Sequence, residues 1–84
     1  MTYRIRLTRQ AVKDARKLSP KVQTKLRDVL RNRLATDPYS GKALVGDLKG
    51  YYSVRLSYRN RIVYSIHDDE LIVLVVRART HYGD

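Results

Sequence analysis

Cysteine is absent from the 84 residues, which removes disulfides, thiol chemistry and thiolate metal sites together. Histidine is scarce: His67 and His81 alone make no convincing zinc set, and neither a metal nor an organic cofactor is expected. A long apolar run is also missing. The longest, Leu71 to Val76, is too short to span a membrane and lies in no amphipathic helix that could anchor. The opening MTYRIRLTRQ has neither the apolar core nor the small-residue cleavage site of a signal peptide, so a cytoplasmic chain is expected. The length suits one domain over residues 1–84, with one modest core and one site.

The other shortage is acidic residues, 8 against 18 basic ones, for a formal charge of +10 at pH 7. That excess points to a polyanionic partner. Twelve of the 18 cations are arginine, whose planar fork matches phosphate oxygens and stacks on bases. RNA or DNA is favoured over a membrane surface.

Tyr3, Ile5 and Leu7 alternate with Arg4 and Arg6, the period-2 pattern of a strand with one buried face. Thr8 can cap a helix over about residues 9 to 18, with Ala11, Val12, Ala15 and Leu18 inward and Lys13, Arg16 and Lys17 outward. Ser19-Pro20 is a restart signal, and Val22, Leu26, Val29, Leu30 and Leu34 then form one stripe of a second helix. This helix runs to about Ala35 and stops at Thr36-Asp37-Pro38. Residues 37 to 50 hold Gly41, Gly46 and Gly50 and read as a loop, with a short extended piece around Ala43 to Val45. From Tyr51 the pattern becomes β in three runs, the last of which, Leu71 to Val76, suggests a central strand buried on both faces. The expected fold is α+β, ordered β-α-α-β-β-β, with the helical hairpin on a mainly antiparallel twisted sheet.

If Leu56 faces Ile62 across a Tyr58-Arg59-Asn60 loop, Ser57 falls opposite Arg61, with Arg55 one diagonal step away. If the next hairpin turns at Asp68-Asp69, Ile66 faces Leu71 and Arg61 faces Val76. Arg55, Arg61, Arg79, His81 and Tyr82 then gather at one end of the sheet. Such a cluster could cleave RNA without a metal, by attack of a ribose 2′-OH on the adjacent phosphorus. His81 would move a proton near neutral pH, and the arginines would stabilise charge building on the phosphate. Tyr82 could stack on a base or hydrogen-bond a phosphate oxygen. The plainer alternatives are a solvated Arg61 paired with Asp68, Asp69 or the terminal carboxylate, and ordinary tail residues at His81 and Tyr82. The helix face bearing Lys13, Arg16, Lys17, Lys21, Lys25, Arg27 and Arg31 is either solvated or an electrostatic footprint for RNA, which the resemblance below would make ribosomal RNA.

The segment GDLKGYYSVRLSYRNRIVYSIHDDELIVLVVRARTHY resembles the second half of the RelE/ParE toxin superfamily, with its Leu-x-Gly-aromatic-aromatic entry and its Arg-hydrophobic-Val-Tyr strand. The ending Arg-Thr-His-Tyr is similar to the YoeB and YafQ branches. The resemblance implies a RelE-like toxin of a type II toxin-antitoxin system, a metal-independent messenger-RNA endonuclease working in the ribosomal 30S A site. Arg61, His81 and Tyr82 would be catalytic, and Arg55, Arg79, Arg77 and Lys49 would bind RNA. Arg55 stands where RelE carries a catalytic lysine. The glutamate that the YoeB branch carries in the loop before the sheet has no counterpart, the nearest positions being Lys42, Ala43 and Asp47. A cognate antitoxin, acidic and amphipathic, is implied as partner, in a heterotetramer or larger complex. The rival readings are a ParE-like inhibitor of DNA gyrase, which shares the fold but lacks the nuclease cluster, and a non-catalytic RNA-binding module.

Overall fold

In the computed structural model, which describes residues 2–80 without the side chains of Arg79 and Thr80, the first alternating run forms β1 (Arg4–Leu7). Thr8 ends it in extended backbone, and its Oγ1 accepts from the Ala11 N–H to cap α1 (Arg9–Arg16). Ser19 caps α2 (Pro20–Asp28) in the same way, accepting from the Val22 N–H, with Pro20 in the first helical turn where a missing donor costs nothing. The helix continues as a π-helical turn over Val29–Leu34, closed by the Ala35 N–H reaching back five residues to the Leu30 carbonyl.

Four more strands follow: β2 (Lys42–Ala43), β3 (Tyr51–Arg55), β4 (Asn60–His67) and β5 (Ile72–Thr80). The sheet order is β1-β5-β4-β3-β2. Only the β1–β5 pairing is parallel. The α+β class and mainly antiparallel sheet are as expected, and the short extended piece is β2, one residue earlier than the sequence pattern suggests.

Both helices cover one face of the sheet. Ala11, Leu26, Leu30 and Leu34 pack on Val54, Ile62, Tyr64, Val73, Val75 and Ala78. Each of the valine, leucine and isoleucine side chains contributes about 1.5–3 kcal/mol when fully buried. Two expectations are corrected here. The run Leu71 to Val76 is buried on one face only, since Val73 and Val75 are enclosed while Ile72, Leu74 and Val76 are not. Val12, expected in the apolar stripe of α1, is 36 % exposed, and Asp14 is the inward residue, 7 % exposed.

Both hairpin registers also differ from expectation, each by two residues on one strand. Val54, not Leu56, lies opposite Ile62, because Leu56 and Ser57 both donate to the Asn60 carbonyl and so belong to the turn. Ile66 faces Val73, not Leu71. Leu71 adopts a left-handed φ of 54° and closes a turn with its N–H on the Asp68 carbonyl. A β-bulge then intervenes: Tyr64 faces Val75 but Val63 faces Arg77. Among the described residues no helix is long and apolar enough to cross a membrane.

Candidate nucleic-acid interface

These corrections bring the arginines closer together than the sequence reading had them. Arg55 lies directly opposite Arg61 on β4, and Arg61 directly opposite Arg79 on β5. Three arginines therefore occupy adjacent register positions across three neighbouring strands. Opposed residues of an antiparallel pair share a face with Cβ atoms about 5 Å apart. The bulge is what makes this row possible. Val73 and Val75 point to the helices, and an unbroken strand would have sent residue 79 the same way. One extra residue flips the phase, so Ala78 enters the core opposite Ile62 and Arg79 takes the register position beside Arg61.

Like charges directly opposite one another destabilise a sheet, and neither Arg55 nor Arg61 has an acidic partner among the described residues. The one ion pair among them joins Arg77 to Asp14. Asp68, an acidic partner considered for Arg61, is at the other end of β4, about 20 Å away at 3.3 Å per residue. Its carboxylate accepts instead from the hydroxyls of Tyr3 and Tyr39, which hold its carboxyl below the usual carboxylate range. Arg55 is exposed and Arg61 half-buried. Arg55 and Arg61, with no carboxylate partner among the described residues and on a chain of charge +10, are suited to phosphate oxygens.

The Arg77 Nε donates to Asp14 Oδ2 at 2.8 Å, so this guanidinium is tied to α1 and is not a free member of the row. Lys49 is exposed but precedes β3, at the end of that strand opposite Arg55, about 20 Å away along the strand. His81 and Tyr82 lie outside the described residues. His67 is at the far end of β4, its Nε2 hydrogen-bonded with Ser65 Oγ at 3.0 Å.

The sequence reading missed three residues near the row. Lys42 pairs with Ser53, two positions before Arg55 and on the same face. Tyr58, 85 % exposed, stands on the β3–β4 turn beside Arg55 and Arg61. That turn is braced by the Asn60 side chain donating to Ser57 Oγ at 2.9 Å. Asp14 is the third. A polar residue breaking the apolar stripe of α1 was the available signal.

This β-α-α-β4 fold is that of the RelE-type toxins. The toxin–antitoxin complex RelBE2 from Mycobacterium tuberculosis is similar, with a TM-score of 0.87 and 27 % identity, covering 99 % of this chain and 95 % of that one. So is the YoeB/ParE toxin from Agrobacterium tumefaciens, with a TM-score of 0.83 and 26 % identity, covering 94 % of this chain and 99 % of that one. In sequence, toxin YoeB of Streptomyces coelicolor is 37 % identical over 71 residues, 80 % of this chain and 76 % of that protein. Residues 9–82 match the family described as YoeB-like toxin of bacterial type II toxin-antitoxin system. The chain belongs to the YoeB-like family of type II toxins.

Proposed function

We propose that this chain is a ribosome-dependent messenger-RNA endonuclease that blocks translation in the cytoplasm. The observation that carries the reading is the row of Arg55, Arg61 and Arg79 on adjacent strands, with no acidic partner for Arg55 or Arg61 among the described residues. In this reading the 2′-OH oxygen of one nucleotide bonds to the neighbouring phosphorus and the P–O5′ bond breaks. The products are a 2′,3′-cyclic phosphate and a 5′-hydroxyl. Arg61 would neutralise charge on the non-bridging oxygens, and Arg55 and Arg79 would hold the strand at flanking phosphates. His81 would transfer a proton to or from the reacting oxygens, and Tyr82 would stack on a base. The reaction would need no metal. With Arg77 tied to Asp14, its share in RNA binding would be the smallest of the four proposed RNA-binding cations, and Lys49 would meet RNA only away from the cut.

The 30S A site and its messenger are the proposed substrate assembly. The outward cations of α1, α2 and the π-helical turn, among them Lys13, Arg16, Lys21 and Arg31, would supply contacts to ribosomal RNA. The toxin–antitoxin complex among the structural neighbours supports a cognate antitoxin, acidic by complementarity, in a heterotetramer or larger complex.

The test is an in vitro translation reaction on a defined messenger, with cuts mapped by primer extension for wild type, Arg61→Ala and His81→Ala, beside a ribosome-free control. Cuts in the coding region that need ribosomes and fade in both variants support the reading. Gyrase inhibition without cutting would move the chain to the ParE-like class, and neither activity would leave an RNA-binding module.

A further inference from the structure

β1 stops at Leu7, opposite Val75, whereas β5 runs on to Thr80. Past Val75, the edge of β5 that faced β1 lies beside α1 instead, and groups from Thr8 and α1 supply its hydrogen bonds. The Thr8 N–H donates to the Val75 carbonyl at 3.0 Å, and Thr8 Oγ1 donates to the Val76 carbonyl at 3.1 Å. Two residues on, the Ala78 N–H donates to Asp14 Oδ2 at 3.1 Å. The same oxygen accepts from Arg77 Nε at 2.8 Å, and Asp14 Oδ1 accepts from Gln10 Nε2 at 3.0 Å.

Asp14 is one of two buried polar side chains among the described residues, with Ser53 the other. Burial alone would raise its carboxyl, but hydrogen bonds from Arg77, Gln10 and the Ala78 amide outweigh that and hold it below the ordinary range. It is therefore a carboxylate at neutral pH. A buried ion pair is a weak source of net stability, so its location carries more information than its energy. Arg77 and Ala78 directly follow the bulge, and the next residue is Arg79, opposite Arg61.

We infer that Asp14 is a positioning residue for the cleavage end of the sheet: by holding Arg77 and the Ala78 amide it fixes β5 beyond its bulge and keeps Arg79 in register with Arg61 and Arg55. Asp14 itself touches no RNA. It also sets the strand from which the chain continues to His81 and Tyr82. The inference rests on the nuclease reading for its consequence in catalysis, but not for its consequence in the strand.

The experiment compares wild type, Asp14→Asn and Asp14→Ala by two measurements. Amide hydrogen exchange is followed at Ala78 to Thr80, with Val73 and Val75 as internal references, and single-turnover cleavage of ribosome-bound messenger is followed against ribosome concentration. Asp14→Ala removes both interactions, whereas Asp14→Asn keeps an oxygen for the Ala78 amide and loses the charge facing Arg77. In Asp14→Ala, exchange at residues 78–80 should rise at least about tenfold with the references still protected. The maximal cleavage rate should fall by about 30- to 100-fold, the scale of an ångström-sized misplacement, with the half-saturating ribosome concentration within about threefold of wild type. Asp14→Asn should fall between on both, and it carries the test if Asp14→Ala does not fold. Unchanged exchange at 78–80 in a folded variant would overturn the inference, as would a cleavage loss in a folded variant explained wholly by weaker ribosome binding. If wild type cuts nothing, the nuclease reading fails, and the exchange data alone uphold or overturn Asp14 as the residue that positions β5.

Discussion

Replacing Gly41 with alanine should destabilise this protein severely, although the backbone there is ordinary, with φ −77° and ψ 175°. A Cβ at this position would overlap the Tyr64 hydroxyl oxygen and lie 2.9 Å from the Ser53 carbonyl and 3.1 Å from Tyr64 Cζ. Tyr64 cannot withdraw easily. It is fully buried, its ring stacks on Tyr52 with centroids 5.8 Å apart, and its hydroxyl donates to the Pro38 carbonyl at 2.7 Å. Overpacking costs about 1–3 kcal/mol, and breaking the buried hydrogen bond costs about 1–3 kcal/mol more, for a total of about 2–6 kcal/mol. For a domain of this size that lowers Tm by at least ~8 °C. The assay is urea and thermal unfolding of Gly41→Ala, Tyr64→Phe and the double variant. Removing the Tyr64 oxygen should recover part of the loss, leaving the double variant more stable than Gly41→Ala alone. Gly41→Ala within about 0.5 kcal/mol of wild type, the range of an indifferent surface change, would refute the steric argument, and so would a double variant no better than the single.

Thr8→Ala removes both the α1 cap and the bond to the Val76 carbonyl, and should cost about 1–2 kcal/mol in chemical denaturation. Asp68 is held low by hydrogen bonds from Tyr3 and Tyr39, so its stabilising effect is present above the unfolded carboxyl pKa and is lost as pH falls through its folded value. The stability difference between wild type and Asp68→Asn should therefore shrink below a pH of about 4. The hydrogen bond to Asp68 pushes Tyr39 up to about 12, and burial pushes Tyr64 to about 12. Their protonated forms favour the fold, which should lose stability as pH rises from about 10 towards 12. An ultraviolet phenolate titration should show late-ionising tyrosines, and Tyr39→Phe should remove one of them.

Much of this fold is legible in the sequence because local chemistry determines it. Thr8 and Ser19-Pro20 announce the helix starts, and the alternation of Tyr3, Ile5 and Leu7 announces β1. The strand registers were not legible for a definite reason. A slip of two residues keeps every apolar side chain on its own face, so hydrophobic pattern cannot separate Leu56 from Val54 as the partner of Ile62. Turn geometry decides, through the Asn60 carbonyl and the left-handed Leu71. The bulge shows only in the structure, where buried positions switch from odd numbers at Val73 and Val75 to an even number at Ala78, because the run Leu71 to Val76 is apolar at odd and even positions alike. For the site, the row of Arg55 and Arg61 follows from the corrected register, while the apolar spacing of α1 assigned the inward Asp14 to neither face.

The role of Arg61 is tested most directly by the single-turnover rate at which Arg61→Ala cleaves messenger on saturating ribosomes, beside wild type and with folding checked by unfolding. If Arg61 stabilises the charge on the phosphate undergoing attack, the rate should fall by about 10²–10³, the scale of losing one donor from a transition-state site, with Tm little changed. A folded Arg61→Ala that cuts at the wild-type rate would contradict the account and place the chemistry, if any, elsewhere on the chain.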